Sequence, residues 1–521
     1  MNQIYTMEEV YKHNKKNDAW VVINGKVYDI TNLLKWHPGG TAILMEYIGK
    51  DASQQFTSIN HSVLAKAEKI KLCIGVVKDY DKYVKEREEK EKEILERSKK
   101  VNQKKIEGKK RMVIVGNGIC GVAAAYFLSM SNRNKDLYDI TVIDKSHLIG
   151  GTALASSAIL FLGGHIEKDI NKEKTKPNLS NWSGHWQFDL MKQFQEEGDN
   201  IEFVEKGTLG VIQTKEQFEY LQKQISPGGR MFGTLDLLSK EKTLEIEPSL
   251  NPSIYGSTLC HKGATFDPFL VCQAFAKKAE RNGVNFHFGF DVEKIERKTT
   301  DSNEKTFVIK SAGGYEIEAD ILLLCTGWKV RDHAAFLGHE IPVRPVHGQM
   351  FATINEKIKL NHNLFSWEGP HFWGTNPTLG HQDTLEVEEG KFKRRTRHLY
   401  GLQISNGTLK FGGDRLTGDM DGKVFVEGIR TTVEQVKEII PGLNGCEIKG
   451  WWSGTMPFVK DQTPLIGEVE EGLWVLTGAP FTKGAAYAKL LAEFIVGDES
   501  HKEFKEFVHP FRFEKKKEEA K

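Results

Sequence analysis

Two histidines stand 24 residues apart near the start of the chain, His37 in Trp-His-Pro-Gly-Gly and His61 in Ile-Asn-His-Ser. The proline after His37 fixes one backbone dihedral, and the two glycines allow turns that a Cβ would block. Neutral imidazoles held on two facing loops can fill both axial positions of one haem iron. Trp36, Leu34, Leu44, Phe56 and Leu64 could supply the apolar pocket around it. An iron ligated on both sides has no open position for a substrate, so the chemistry would be one-electron transfer.

A second chemical signature begins at residue 111. The run Arg-Met-Val-Ile-Val leads into Gly116-x-Gly118-x-x-Gly121 and a helical pattern. Gly116 makes the tight turn, Gly118 lets the backbone approach a pyrophosphate, and Gly121 permits close packing of helix on strand. The helix N-terminus would offer amide donors to the phosphates. The next apolar run, Ile-Thr-Val-Ile-Asp, ends in Asp144, a carboxylate suited to the hydroxyls of an adenosine ribose. No second segment of this type follows, so no separate NAD(P) domain is visible.

Residues 5–77 resemble a cytochrome b5 domain, which implies haem b with His37 and His61 as its axial ligands. Such domains are commonly acidic, whereas residues 1–80 hold ten lysines and eight acidic residues, so no acidic docking face is evident. Residues 112–496 resemble the D-amino acid oxidase-like (DAO) family, which implies FAD. By that resemblance Gly151, Thr152 and Ser156 pass close to the cofactor, Val292 meets the adenine, and Thr326-Gly327 end a strand beside it. Thr477-Gly478 and a helix start near Lys483-Gly484 would face the flavin pyrimidine edge. Two departures matter. Met456, in Gly-Thr-Met-Pro, stands where the family often has an arginine that clamps a substrate carboxylate, so simple D-amino acids and glycine are expected to be poor substrates. Ala155 stands at one attachment position used for covalent flavin, so non-covalent FAD is expected.

Candidate catalytic groups are His347 in Pro-Val-His-Gly and Lys483, with His371 and Trp373 as further polar candidates. Trp367, His371, Phe372 and Trp373 either line a pocket or belong to the core. Arg344 or Arg415 could replace the missing anchor from another strand, and a structural salt bridge is the plainer reading of Arg344.

The elements that must position these groups follow from the patterning. The expected architecture is an α+β cytochrome b5-like domain over 1–79, a charged helical linker over 80–110, and an α/β Rossmann-type FAD-binding domain with an inserted antiparallel-sheet substrate domain over 111–510. FAD-binding parts are expected at about 111–165, 250–330 and 450–500, substrate-domain parts at about 166–249 and 331–449, and a charged tail at 511–521. The linker reads as a solvated helix because Glu86/Lys90 and Glu88/Lys92 are spaced i,i+4. Lys plus Arg (72) balances Asp plus Glu (71), so nothing points to nucleic acid. The longest apolar stretch, residues 153–162, is too short to span a bilayer. A cytoplasmic setting is the expectation, with an organelle reached through an internal signal as the alternative. The six cysteines form no CxxC pair and read as buried thiols.

Together these features point to a flavohaem oxidoreductase. FAD would take two electrons from a small amine or alcohol, and the haem would relay them singly to an external acceptor protein. Two alternatives stand beside it. The haem could deliver electrons to the flavin for a reduction or desaturation, or the chain could be a non-catalytic, cofactor-bearing subunit or interaction module. The oligomeric state has no signature in the sequence.

Overall fold

The computed structural model describes residues 3–37, 39–58, 69–86, 89, 106–130, 137–163, 176–227, 235–299, 305–367, 399–417 and 423–513. His61, Leu64, His371, Phe372 and Trp373 lie outside the described residues, as do Lys90 and the linker beyond residue 89 up to 105.

The N-terminal domain is a five-stranded sheet in the order Gln3–Tyr5, Cys73–Val77, Lys26–Asp29, Asp18–Ile23, Asn14–Lys15. Period-2 alternation splits the longest strand between two faces. Val21 and Ile23 join Tyr28, Ile30 and Leu34 in one buried cluster, while Val22 packs with Val10, Val27 and Val77 on the other side. A capping box between Thr6 and Glu9 starts the short helix Met7–Lys12. The first turn of the linker folds back on this domain: the Tyr83 hydroxyl donates to Asp51 at 2.7 Å, and its ring packs beside the Val22 cluster.

The large domain is built on a six-stranded sheet in the order Asn285–Phe288, Tyr138–Asp144, Lys110–Val115, Ile321–Leu324, Leu473–Thr477, Leu465–Glu470. Neighbours are parallel except for the last pair. The strand Lys110–Val115 sits where the order reverses, and the carboxyl ends of strands at such a point open a crevice for a ligand. Arg111 ties the opposite end of the sheet, donating to Asp320 at 2.8 Å and Glu318 at 2.6 Å. Helices Ile119–Met130, Pro268–Arg281 and Phe481–Val496 cover one face and share its main core.

The second large sheet has eight strands, in the order Asp236–Ser239, Gly256–Cys260, Thr208–Ile212, Asn363–Ser366, Tyr400–Gln403, Leu409–Thr417, Val343–Thr353, Ile448–Val459. It is antiparallel except where Thr208–Ile212 runs parallel to Asn363–Ser366. The strand Ile448–Val459 belongs to this sheet, so the segment carrying Met456 forms substrate-sheet wall before the chain returns to the flavin half. Among the described residues no helix is long and apolar enough to cross a membrane.

Candidate cofactor and substrate site

In the N-terminal domain, the glycine turn holds His37. Its Nδ1 lies 3.0 Å from the Gly40 carbonyl, and the Gly40 amide returns a bond to the His37 carbonyl at 2.9 Å. An Nδ1–H donated to that carbonyl leaves the proton off Nε2, the tautomer that ligates iron. A Cβ on Gly39 would lie 2.8 Å from the imidazole, so a side chain there would push the ring out of this position. Trp36, Leu44 and Phe56 line the cavity beside His37, whereas Leu34 lies in the core behind it.

In the large domain, the glycine turn has the packing its spacing requires. A Cβ on Gly121 would fall 1.8 Å from the Gly116 carbonyl oxygen, and one on Gly116 2.6 Å from that of Cys325. Gly116 and Gly118 line the crevice, and Gly121 stands behind them at the helix–strand contact. Asp144 is fixed at the end of the next strand by amide donors from Asn117 (2.9 Å) and Ser146 (2.7 Å). Burial pushes its carboxyl above the usual range, and these two donors oppose that shift. Gly151, Thr152, Ser156, Val292, Thr326, Gly327, Gly478 and Lys483 all line the same space. Gly484 does not: a Cβ there would meet Ile119 at 2.7 Å, so it serves the contact between two helices.

Lys483 donates to the Ser180 hydroxyl and so bridges the start of helix Phe481–Val496 to helix Lys176–Glu196. His347 is fully buried and is not among the residues lining the cavity. Its ring stands edge-on to Phe425 at 5.9 Å. Strand alternation explains this placement, because Gly348 and Met350 take the cavity face of the same strand. Trp367 lines the cavity and donates to Thr258 at 2.9 Å. Arg344 is exposed, whereas Arg415 reaches the cavity wall.

Several groups here escaped sequence reading. Cys120, remote in sequence from the C-terminal flavin segment, reaches the cavity beside Gly484, and Cys325, packed against the Gly116–Gly121 turn, lines it as well. Burial pushes the Cys120 thiol up to about 12 and the Cys325 thiol well above its ordinary value, so neither offers a thiolate for flavin attachment. His333 contacts Thr326 Oγ1 at 3.0 Å, and burial pushes its imidazole down to about 4, so it is neutral. The doublet Trp451-Trp452 forms part of the wall, with Trp452 donating to the Ala155 carbonyl at 3.1 Å.

The two pockets are parts of one cavity of about 1940 Å3, lined from His37 at one end to Arg415 and Lys483 in the large domain. Single small-ligand pockets run to roughly 1,000 Å3, so this space suits more than one large group. Between the pockets, Ile43 packs with Leu148 and Phe269 in a buried cluster flanked by Leu44, Tyr47, Leu154 and Leu270. Asn406 donates to Thr41 at 3.5 Å, and Lys449 lies 5.5 Å from the Trp36 ring centre.

The FAD dependent oxidoreductase (DAO) family model matches residues 111–494. The chain belongs to the DAO family. Ahead of the DAO domain, the cytochrome b5-like heme/steroid binding domain model matches residues 6–78. The chain is therefore an FAD-dependent oxidoreductase fused to an electron-carrying cytochrome b5 domain, and it binds FAD and haem b. Glycine oxidase of Bacillus subtilis is 23% identical over 414 residues, covering 78% of this chain and 97% of that protein. Cytochrome b5 of Borago officinalis is 51% identical over 67 residues, 13% of this chain, and the match spans about half (51%) of the plant protein. Among solved structures, L-proline dehydrogenase from P. horikoshii covers 79% of this chain and 99% of its own at TM-score 0.60 and 23% identity. Glycine oxidase from Geobacillus kaustophilus covers 76% and 96% at TM-score 0.60 and 20% identity, so the DAO fold is shared across distant sequences. The crevice at the sheet's reversal point, the fixed Asp144 carboxylate and the Gly116 turn fit FAD, and the His37 tautomer in its apolar recess fits haem.

Proposed function

We propose that the protein is a flavohaem dehydrogenase: a small amine gives two electrons to FAD, and the b5 haem passes them one at a time to an external one-electron acceptor. The observation that carries this reading is the shared wall between the pockets. The turn Gly151–Ala155 offers Thr152 and Ala155 to the flavin half, while its Leu154 packs in the cluster with Ile43, Leu44 and Tyr47 from the haem domain. One helical turn with its side chains is about 10 Å thick. Bound FAD would supply hydride acceptance from a substrate C–H bond, and bound haem would supply single-electron release. The residues of the chain bind and orient. Gly116, Gly118, Gly151, Thr152, Asp144 and Val292 would hold the dinucleotide, with its attachment non-covalent. Lys483, at the start of its helix, would place a positive charge at the cavity's edge. His347 acts as a buried support of the central strand and not as a base. The amine's N–H proton would leave to solvent, giving a C=N product after net loss of two electrons and two protons.

The test is anaerobic rapid mixing of holoprotein with a panel of small amines, amino acids and alcohols, following flavin bleaching and the reduced-haem band together. Haem reduction that follows flavin bleaching in the same molecule is the expected result. Flavin bleaching with static haem would overturn the relay. Flavin reduced only after haem has been reduced from outside would reverse its direction.

A further inference from the structure

The strand Leu409–Thr417 begins beside the haem domain, just after the Asn406 that donates to Thr41. Leu409 and Phe411 are buried in the core that the helix Val426–Ile439 covers, so Lys410 between them takes the cavity face. It stands opposite Ala352, ahead of the bulge at Gly413, and Ala352 stands opposite Gly450. Next to Gly450 is Lys449, the residue beside the Trp36 ring. Lys410 is 6% exposed, and its ammonium has no hydrogen bond or ion pair among the described residues. Asp267 and Glu202 are the acids whose charge it feels, and both are engaged elsewhere. Asp267 caps the helix Pro268–Arg281 through the Leu270 amide at 2.9 Å, and its second oxygen lies 2.9 Å from where a Cβ on Gly40 would stand. Glu202 accepts from Ser405 at 2.9 Å. Burial pulls the Lys410 ammonium below the ordinary lysine range despite these acids.

We propose that Lys410 binds a propionate of the haem, so that a cation from the flavin domain completes the cofactor site of the domain before it. The contact is independent of the dehydrogenase reading and is the same whichever way the electrons run. A buried ammonium without an anion is costly, and this one faces a cavity that His37 also lines. Haem b carries propionate carboxylates at one edge of its ring, and the chain binds haem b. The phosphates of FAD have their own donors at the Gly116 turn, on the other large sheet. Asn406 on Thr41 and Lys449 beside Trp36 put both sides of the Lys410 row against the haem domain. Lys449 is not itself the anchor, because it pairs with Glu447 at 2.6 Å. Carboxylate charge near the iron favours its more positive ferric state. The Lys410 ammonium offsets that charge and so raises the haem potential.

The test is a spectroelectrochemical titration of the full-length, FAD-loaded protein, reconstituted either with haem b or with haem b dimethyl ester, whose propionates carry no charge. Lys410→Met should change the redox equilibrium of the haem b protein roughly three- to tenfold toward ferric, a fall of about 30–60 mV at ~59 mV per decade for one electron. The same substitution should leave the ester-loaded protein where it was. Lys410→Gln, which keeps a polar group in the cavity, is read in the same way and serves where methionine impairs folding. Lys410→Arg retains the charge and should hold the haem potential near that of the unsubstituted protein. A fall of equal size with both haems, or no fall with haem b, would overturn the contact. A displaced flavin potential with the haem potential fixed would assign the cation to the flavin and overturn it as well. None of these measurements needs a substrate, so a failed relay between flavin and haem would leave them readable.

Discussion

The haem recess and the flavin crevice hold their cofactors in opposite ways. His37 is oriented by Gly40, three residues away, and its ring is cleared by Gly39, two residues away. The flavin crevice is assembled from distant parts: Lys483 bonds Ser180, Thr477 donates to the Gly327 carbonyl at 2.7 Å, and Gly116 abuts the Cys325 carbonyl. A turn that orients its own ligand needs little from the rest of the fold. A crevice made of strand ends depends on the packing of two sheets and three helices. The first should fail by losing one contact, the second by a shift anywhere in its frame.

Substitution at the two histidines proposed as axial ligands is the sharpest probe of that contrast. His37→Ala, and likewise His61→Ala, should abolish the six-coordinate low-spin haem spectrum while FAD content stays at the wild-type level. Loss of both cofactors together would erase the distinction between a local and a distributed site. Next in size is Gly121→Ala. The added methyl has nowhere to go without moving the Gly116 turn, and such overpacking costs about 1–3 kcal/mol. FAD should wash out on gel filtration while the haem spectrum is retained. Phe269→Ala tests the wall between the regions. Phe269 is buried against Ile43, and truncation of such a ring costs about 3 kcal/mol in a well-packed core. The expected result is a slower flavin-to-haem step and faster proteolysis between the domains, with both cofactors present.

The smallest effect concerns pH. His333 is held neutral by burial, its imidazole down to about 4, whereas in the unfolded chain it titrates near 6.5. The unfolded state therefore binds the extra proton first. This contribution to stability is intact above about 6.5 and is lost as pH falls toward 4. His333→Gln should flatten that part of the stability profile, measured by thermal unfolding across the window. An unchanged slope would mean that another group carries it.

The same contrast accounts for what sequence reading reached. His37 with its glycines, and Gly116, Gly118 and Gly121 before Asp144, are contiguous, and each short run carries its own geometry. The parity of long strands is not so contained. His347 and Gly348 differ only in which face they take, and that depends on register with both neighbours. Arg344 and Arg415 look alike in one dimension, and the bulge at Gly413 decides that the second one faces inward. Gly484 resembles a cofactor contact because glycines at helix starts often are, yet it was needed for helix packing. Nothing in the run Thr-Ala-Ile-Leu-Met after the first glycine turn marks Ile43 as the residue that meets the other domain.

That last cluster has a practical consequence for anyone cutting the chain at its linker. Leu148, Phe269 and Ile43 are each under a tenth exposed in the intact protein, and separating the halves would hand all three to water at once. Each half would then carry a fresh greasy spot on an otherwise charged surface, beside its own cofactor mouth. Isolated fragments should self-associate through these spots, or recapture one another when mixed, so that expressing the halves separately would manufacture an assembly instead of two well-behaved proteins.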